Sequence, residues 1–234
     1  KIVFILAGAA TLDRLFAKRN LIFTILFSAY CVGCLALMSD FGTALIFFVA
    51  FLCIAFLRTG DLPSIVMITA AAGFAGGIVL RFKPYVLARF AVWRHAWEYA
   101  QKGGYQQTRT MSAVASGGLF GAGPEEAWLK YVGAANTDLV FGVVSEEFGL
   151  LLALCAAAAV ILLGIYALRA AGRSRSSFYA IAACATAAML VFQTTLNVLG
   201  SVDLLPLTGV TFPFVSMGGS SMLSCWGLLA YLQA

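Results

Sequence analysis

The sequence predicts an all-α protein: a polytopic transmembrane helix bundle with a long external segment and a re-entrant or plugging loop. Three observations predict it. Of the 234 residues, 62% are apolar and 11% charged, with a mean hydropathy of +0.95, whereas soluble domains average nearer ~25% charged. The apolar residues fall into repeated runs, several near the ~20 residues needed to cross a hydrocarbon core. Finally, the stretch 201–219 is apolar but interrupted by Pro206, Gly209, Pro213, Gly218 and Gly219. Proline removes backbone donors and glycine permits φ > 0, so this stretch is not one regular helix. Irregular apolar backbone between hydrophobic helices is tolerated only where protein or a wet cavity covers its polar groups.

Residues 2–12 are apolar but too short to span, and read as the end of a helix that begins earlier. The chain is therefore expected to be a single membrane domain over 1–234, incomplete at its N-terminus. The loop 13–20 carries Arg14, Lys18 and Arg19. Spans are expected at about 21–38 and 42–57, with Asp40 as a cap for the second. A further span at about 62–80 carries Gly73, Gly76 and Gly77, which suit close packing of neighbouring helices. The mixed segment 81–137 precedes an apolar run at 139–168. Spans at about 178–200 and 217–233 flank the interrupted stretch. The six cysteines all lie in apolar runs and read as small packing residues rather than redox or metal groups.

Charge sets the orientation. The short loops 13–20, 58–61 and 169–177 hold seven basic residues against two acids and are expected to be cytoplasmic. Segment 81–137, Asp40 and the 201–216 loop then lie outside. The external segment is itself basic, with Arg81, Lys83, Arg89, Arg94, Lys102, Arg109 and Lys130. Such a segment suits either contact with lipid headgroups or an anionic, membrane-bound substrate such as a lipid diphosphate. His95 lies among Trp93, Arg94 and Trp97, a set that fits an interfacial helix on the membrane.

Asp138 stands at the outer mouth of the 139–168 run. A continuous helix over that run is ~45 Å long against a core of ~30 Å, which keeps Asp138 near the outer headgroups. On residue type alone, a helix cap formed by Thr137 or Asp138 and a catalytic carboxylate stand equally. Glu146 and Glu147 lie deeper. A mid-helix charge costs ~2.5–3.5 kcal/mol on insertion scales, so both face protein or water. Their simplest role is a buried hydrogen-bond network, with Glu146 the better functional candidate. Gly117, Gly118, Gly121 and Gly123 suit an anion-binding turn. Asp203, beside the apolar loop, has no evident role in the sequence.

The stretch LLPLTGVTFPFVSMGGSSM resembles the signature of the SEDS family, the FtsW/RodA/SpoVE-type membrane proteins. Supporting pieces follow in order: Asp40-Phe41-Gly42-Thr43-Ala44, Gly104-Tyr105-Gln106, Ser116 to Gly121, Asn136-Thr137-Asp138 and Ser145 to Gly149. The resemblance implies that the chain holds the last seven of ten membrane helices. It implies a multi-pass protein of the bacterial cytoplasmic membrane that acts, in cell division or cell-shape maintenance, at the external face. The implied activity is peptidoglycan glycosyltransfer: polymerisation of lipid II, the undecaprenyl-diphosphate-linked disaccharide peptide. Asn136-Thr137-Asp138 matches the family's (H/N)TD(F/L)xF motif, which makes Asp138 catalytic and Glu146 the second candidate. The implied substrate-binding residues are Arg81, Lys83, Arg109, Lys130, Gly118, Ser216, Gly218 and Gly219.

The α-linked donor and β-linked product imply one inverting displacement. Such a step needs a base for the incoming hydroxyl and positive charge for the departing diphosphate, for which Arg81, Lys83, Arg89, Arg94, Arg109 and Lys130 are all candidates. A divalent cation, Mg or Mn, could share that second role, although the sequence shows no multidentate metal cluster. The implied partners are a class B penicillin-binding protein and membrane lipid, and no nucleic-acid partner is expected. A lipid-linked precursor transporter or flippase is the alternative, because intramembrane acids and a broken helix also build substrate pathways. A non-catalytic scaffold ranks third.

Overall fold

The computed structural model describes residues 1–11, 40–60, 62–82 and 84–233, with residues 25, 26, 29–31 and 33 between the first two. The loop 13–20, most of the span expected at 21–38, Cys34, Asp61 and Lys83 lie outside the described residues. Among the described residues the regular structure is helical: α1 (Ile2–Thr11), α2 (Phe41–Thr59), α3 (Leu62–Phe82), α4 (Pro84–Val92), α5 (Tyr105–Gly117), a 3₁₀ turn (Leu129–Tyr131), α6 (Val140–Phe148), α7 (Leu150–Arg173), α8 (Ser177–Ser201) and α9 (Gly219–Gln233). Helices α7 and α8 are long and apolar enough to cross a membrane, and Phe41–Leu57 is a shorter apolar helix. With the composition, they fit the membrane class that the sequence predicts.

The chain packs as two compact units. The first comprises residues 1–70, 161–192 and 223–234. In it Phe4 of α1 packs with Ala50, Phe51 and Ala55 of α2, and the Phe4 and Phe47 rings lie 4.7 Å apart. Asp40 caps α2 as its sequence position suggests, accepting from the Thr43 N–H at 3.0 Å. Gly60 closes the same helix in the left-handed conformation, its N–H bonded to the Phe56 carbonyl. Helices α7 and α8 approach closely at Gly164, where a β-carbon would lie 2.6 Å from the Val191 side chain.

The second unit, residues 71–160 and 193–222, carries the candidate site. It departs from the sequence reading in four places. The 139–168 run is not one helix. It breaks at Gly149, whose φ of 93° and ψ of 157° suit only glycine. The aromatic segment from Trp93 is turns rather than an interfacial helix; His95 Nδ1 lies 3.2 Å from the Trp93 carbonyl. Neither Thr137 nor Asp138 caps α6. The N-cap is Leu139, with no side-chain hydrogen bond. At Gly73, Gly76 and Gly77 a β-carbon would meet nothing within 4 Å among the described residues, so these glycines make no close helix contact there.

The break at Gly149 has a physical cause in the facing loop 117–123. The Ala122 and Gly123 N–H groups donate to the Glu146 and Glu147 carbonyls, and the Leu150 and Leu151 N–H groups donate to the Gly118 and Leu119 carbonyls. Backbone lies directly on backbone. A β-carbon at Gly117 would strike the Ser145 carbonyl, one at Gly121 the Glu147 carbonyl, and one at Gly149 the Leu119 carbonyl. The glycine-rich motif and the Ser145–Gly149 motif are thus two halves of one contact.

Candidate functional site

Asp138 sits half-buried in the turn before α6. The Ala134 carbonyl accepts from the N–H groups of Thr137, Asp138 and Leu139, which fixes the turn from below. The non-helical stretch 202–218 then folds onto it. The Asn197 side chain, 2% exposed on α8, donates to the Asp138 carbonyl at 2.9 Å and to the Val210 carbonyl at 2.6 Å. Ser216, also 2% exposed, accepts from the Phe212 N–H and donates to the Thr137 carbonyl at 2.6 Å. The Met217 N–H donates to the Asn136 carbonyl at 2.8 Å. All three residues of the Asn136-Thr137-Asp138 triplet are therefore held through their carbonyls.

The carboxylate lies beside Gly209 and Arg89. A β-carbon on Gly209, whose φ is +72°, would lie 3.2 Å from Asp138 Oδ2 and 3.7 Å from Arg89 Nη1. Arg89 in turn donates from Nη1 to the Leu207 carbonyl at 3.0 Å. The absence of a side chain at 209 lets an acid and a guanidinium share one small region. A second clip lies nearby in the same unit. Asp203, at φ 61°, accepts from Gln107 Nε2 at 2.7 Å and from the Arg94 N–H at 3.1 Å. Trp93 Nε1 also donates to the Leu204 carbonyl at 3.2 Å. Asp203 thus anchors the start of the non-helical stretch to α5 and to the turns after α4.

The other sequence candidates are dispersed. Glu146, 1% exposed, accepts from the Leu129 N–H at 2.9 Å and the Trp128 N–H at 3.2 Å, one bond on each carboxylate oxygen. Arg109 lies over the rings of Tyr105 and Trp128, at 5.3 and 5.8 Å. Lys130 Nζ donates to the Pro124 carbonyl at 2.5 Å and lies 5.5 Å from the Tyr131 ring. Arg81 is exposed in the last turn of α3, and Lys83 lies outside the described residues. The Gly118 carbonyl is bonded to the Leu150 N–H, and Ser216 and Gly218 belong to the lacing of the 202–218 stretch. Gly219 is exposed at the start of α9, with nothing within 4 Å of its β-position. Arg89 stands in the basic segment 81–137, but residue type gives no reason to prefer it to its neighbours.

A helical fold in which a non-helical apolar stretch is laced onto a turn that carries one carboxylate, with a guanidinium at the same glycine, defines a class: helical membrane proteins with a polar site built from loops. The chain belongs to the FtsW/RodA/SpoVE family, whose profile, described as "Cell cycle protein", matches residues 1–234. It is 34% identical over 204 residues to the peptidoglycan glycosyltransferase RodA of Mycobacterium leprae (strain TN), covering 86% of this chain and 43% of that one. It is 30% identical over 218 residues to the probable peptidoglycan glycosyltransferase FtsW of Bacillus subtilis (strain 168), covering 86% of this chain and 52% of the relative. The chain thus spans about half the length of these relatives. A solved structure described as "Structural coordination of polymerization and crosslinking by a peptidoglycan synthase complex" shares the fold, with a TM-score of 0.76 at 24% identity, covering 99% of this chain and 66% of that one.

Proposed function

We propose that this chain carries the catalytic part of a peptidoglycan glycosyltransferase that polymerises lipid II at the outer face of the cytoplasmic membrane. The observation that carries the reading is the placement of Asp138 Oδ2 and Arg89 Nη1 around Gly209, in a chain whose relatives bear that activity in their names. Those names also favour polymerase over flippase. In the proposed step Asp138 accepts the proton of the incoming sugar 4-hydroxyl. The oxygen attacks the anomeric carbon, and the bond to the diphosphate breaks on the opposite side with inversion. The departing diphosphate carries the negative charge, and a guanidinium is suited to bind it. Arg89 is the cation that the geometry favours for this role.

Glu146 is assigned a supporting role, because both of its carboxylate oxygens hold backbone N–H groups. Among the described residues no three His, Cys, Asp or Glu side chains converge, and the group next to the Asp138 carboxylate is cationic. These residues do not fit a Mg or Mn ion held by protein alone, and no step is routed through one. The proposed partner is a class B penicillin-binding protein, which would crosslink the strands made here. Polymerisation of labelled lipid II by the full-length protein, with and without that partner, tests the function. No polymer in either arm would refute it.

A further inference from the structure

Arg109 and Lys130, expected to hold a diphosphate, both stand over aromatic rings. Tyr105 and Arg109 stand four residues apart on one face of α5, and the Arg109 guanidinium lies over both the Tyr105 and the Trp128 ring. Tyr131 follows in the 3₁₀ turn, 82% exposed, with Lys130 against its ring. The result is a set of rings and cations on the segment that leads into the Asp138 turn, with Tyr105, Arg109 and Tyr131 exposed and Trp128 and Lys130 half-buried.

The surface is held rigidly. Leu129 is fully buried between Trp128 and Lys130, in a core cluster with Ala113, Ala135 and Val143. Gly142 leaves room for the Leu129 side chain, 2.8 Å from where a β-carbon would be. The buried Glu146 carboxylate then fixes the backbone N–H groups of both Trp128 and Leu129. Burying a carboxylate is unfavourable by several kcal/mol unless hydrogen bonds compensate. Here the two bonds set the position of a short loop that leads to the exposed Tyr131.

We propose that Tyr105, Arg109, Trp128, Lys130 and Tyr131 form a track for the growing glycan strand, a polymer of β-linked N-acetylated amino sugars. The apolar faces of sugar rings stack on rigid aromatic faces, while charged and amide groups bond their hydroxyls and acetamides. Glu125 and Glu126 are exposed on the same loop. Acidic neighbours suit sugar hydroxyls and oppose an anionic lipid surface, which favours a glycan over membrane headgroups as the occupant. This inference rests on the glycosyltransferase reading and adds where the product lies.

The test uses full-length protein in nanodiscs, made with and without phosphatidylglycerol, as wild type, Tyr131→Ala and Tyr131→Phe. Product length from labelled lipid II and binding of N-acetylglucosamine hexamer are both measured. Tyr131→Ala should shorten the product and weaken hexamer binding roughly three- to tenfold, in both lipid compositions, with the rate of the first coupling unchanged. Tyr131→Phe should restore both. Unchanged length and binding would overturn the track, as would an effect confined to discs containing phosphatidylglycerol, which would mark a lipid contact. If wild type binds the hexamer in a Tyr131-dependent way but makes no polymer, the track stands as a glycan site and the glycosyltransferase reading fails.

Discussion

At the scale of single residues, the site depends on polar side chains that hold backbone rather than substrate. Asn197 is the clearest. Its amide satisfies the Asp138 and Val210 carbonyls from within the protein. Leucine at 197 would fill a similar volume but leave two inward-facing acceptors unpaired. Asn197→Leu should lower stability by about 1–3 kcal/mol, read as a fall in melting temperature in detergent, with turnover falling further than stability alone explains. Asp138 stood out as an acid at the mouth of an apolar run, but residue type left cap and base equal, and only the Asn136-Thr137-Asp138 motif favoured the base. Arg89 did not stand out. Its value depends on a bond to the Leu207 carbonyl 118 residues away and on the space over Gly209, and no local pattern encodes either. Asp203 was opaque for the same reason, since its partners Gln107 and Arg94 come from distant parts of the chain.

At the scale of elements, hydropathy located helices well and missed what interrupts them. The span read at about 178–200 is Ser177–Ser201, and the one at 217–233 begins at Gly219. The stretch between them is non-helical, as Pro206, Gly209 and Pro213 demand. Gly149, by contrast, is a single small residue inside a continuous apolar run, so period and hydropathy pass through it. The requirement becomes visible only when loop 117–123 lies against it. Gly149→Ala should therefore destabilise by at least about 2 kcal/mol, through its positive φ and the encounter with the Leu119 carbonyl. Gly133→Ala is the matched control. Its β-position meets nothing within 4 Å, and the change should stay within about 0.5 kcal/mol. Thermal unfolding of both variants in the same detergent checks the contrast. Equal effects would detach the α6–α7 break from the loop that faces it.

At the scale of the whole molecule, the proposed chemistry requires that the Asp138 side of the protein face outward. The basic connection between α7 and α8 is expected in the cytoplasm, with Gly104 and Lys130 outside. Single cysteines at positions 104, 130 and 173, in a background lacking the six native cysteines, should label from outside at 104 and 130 and only after permeabilisation at 173. External labelling at 173 would place the carboxylate on the wrong face for a lipid II polymerase.

The central claim is that Asp138 is the base for glycosyl transfer, and one comparison tests it most directly: polymerisation of labelled lipid II by full-length wild type and Asp138→Asn under identical conditions. The N-cap residue of α6 is Leu139, the turn is held through backbone carbonyls, and asparagine keeps the size of the aspartate side chain. The asparagine variant should therefore fold and bind lipid II as wild type does. Its rate of chain growth should fall by ~10²–10⁴-fold, the usual contribution of a general base. Chain growth at the wild-type rate by a folded Asp138→Asn protein would contradict the claim.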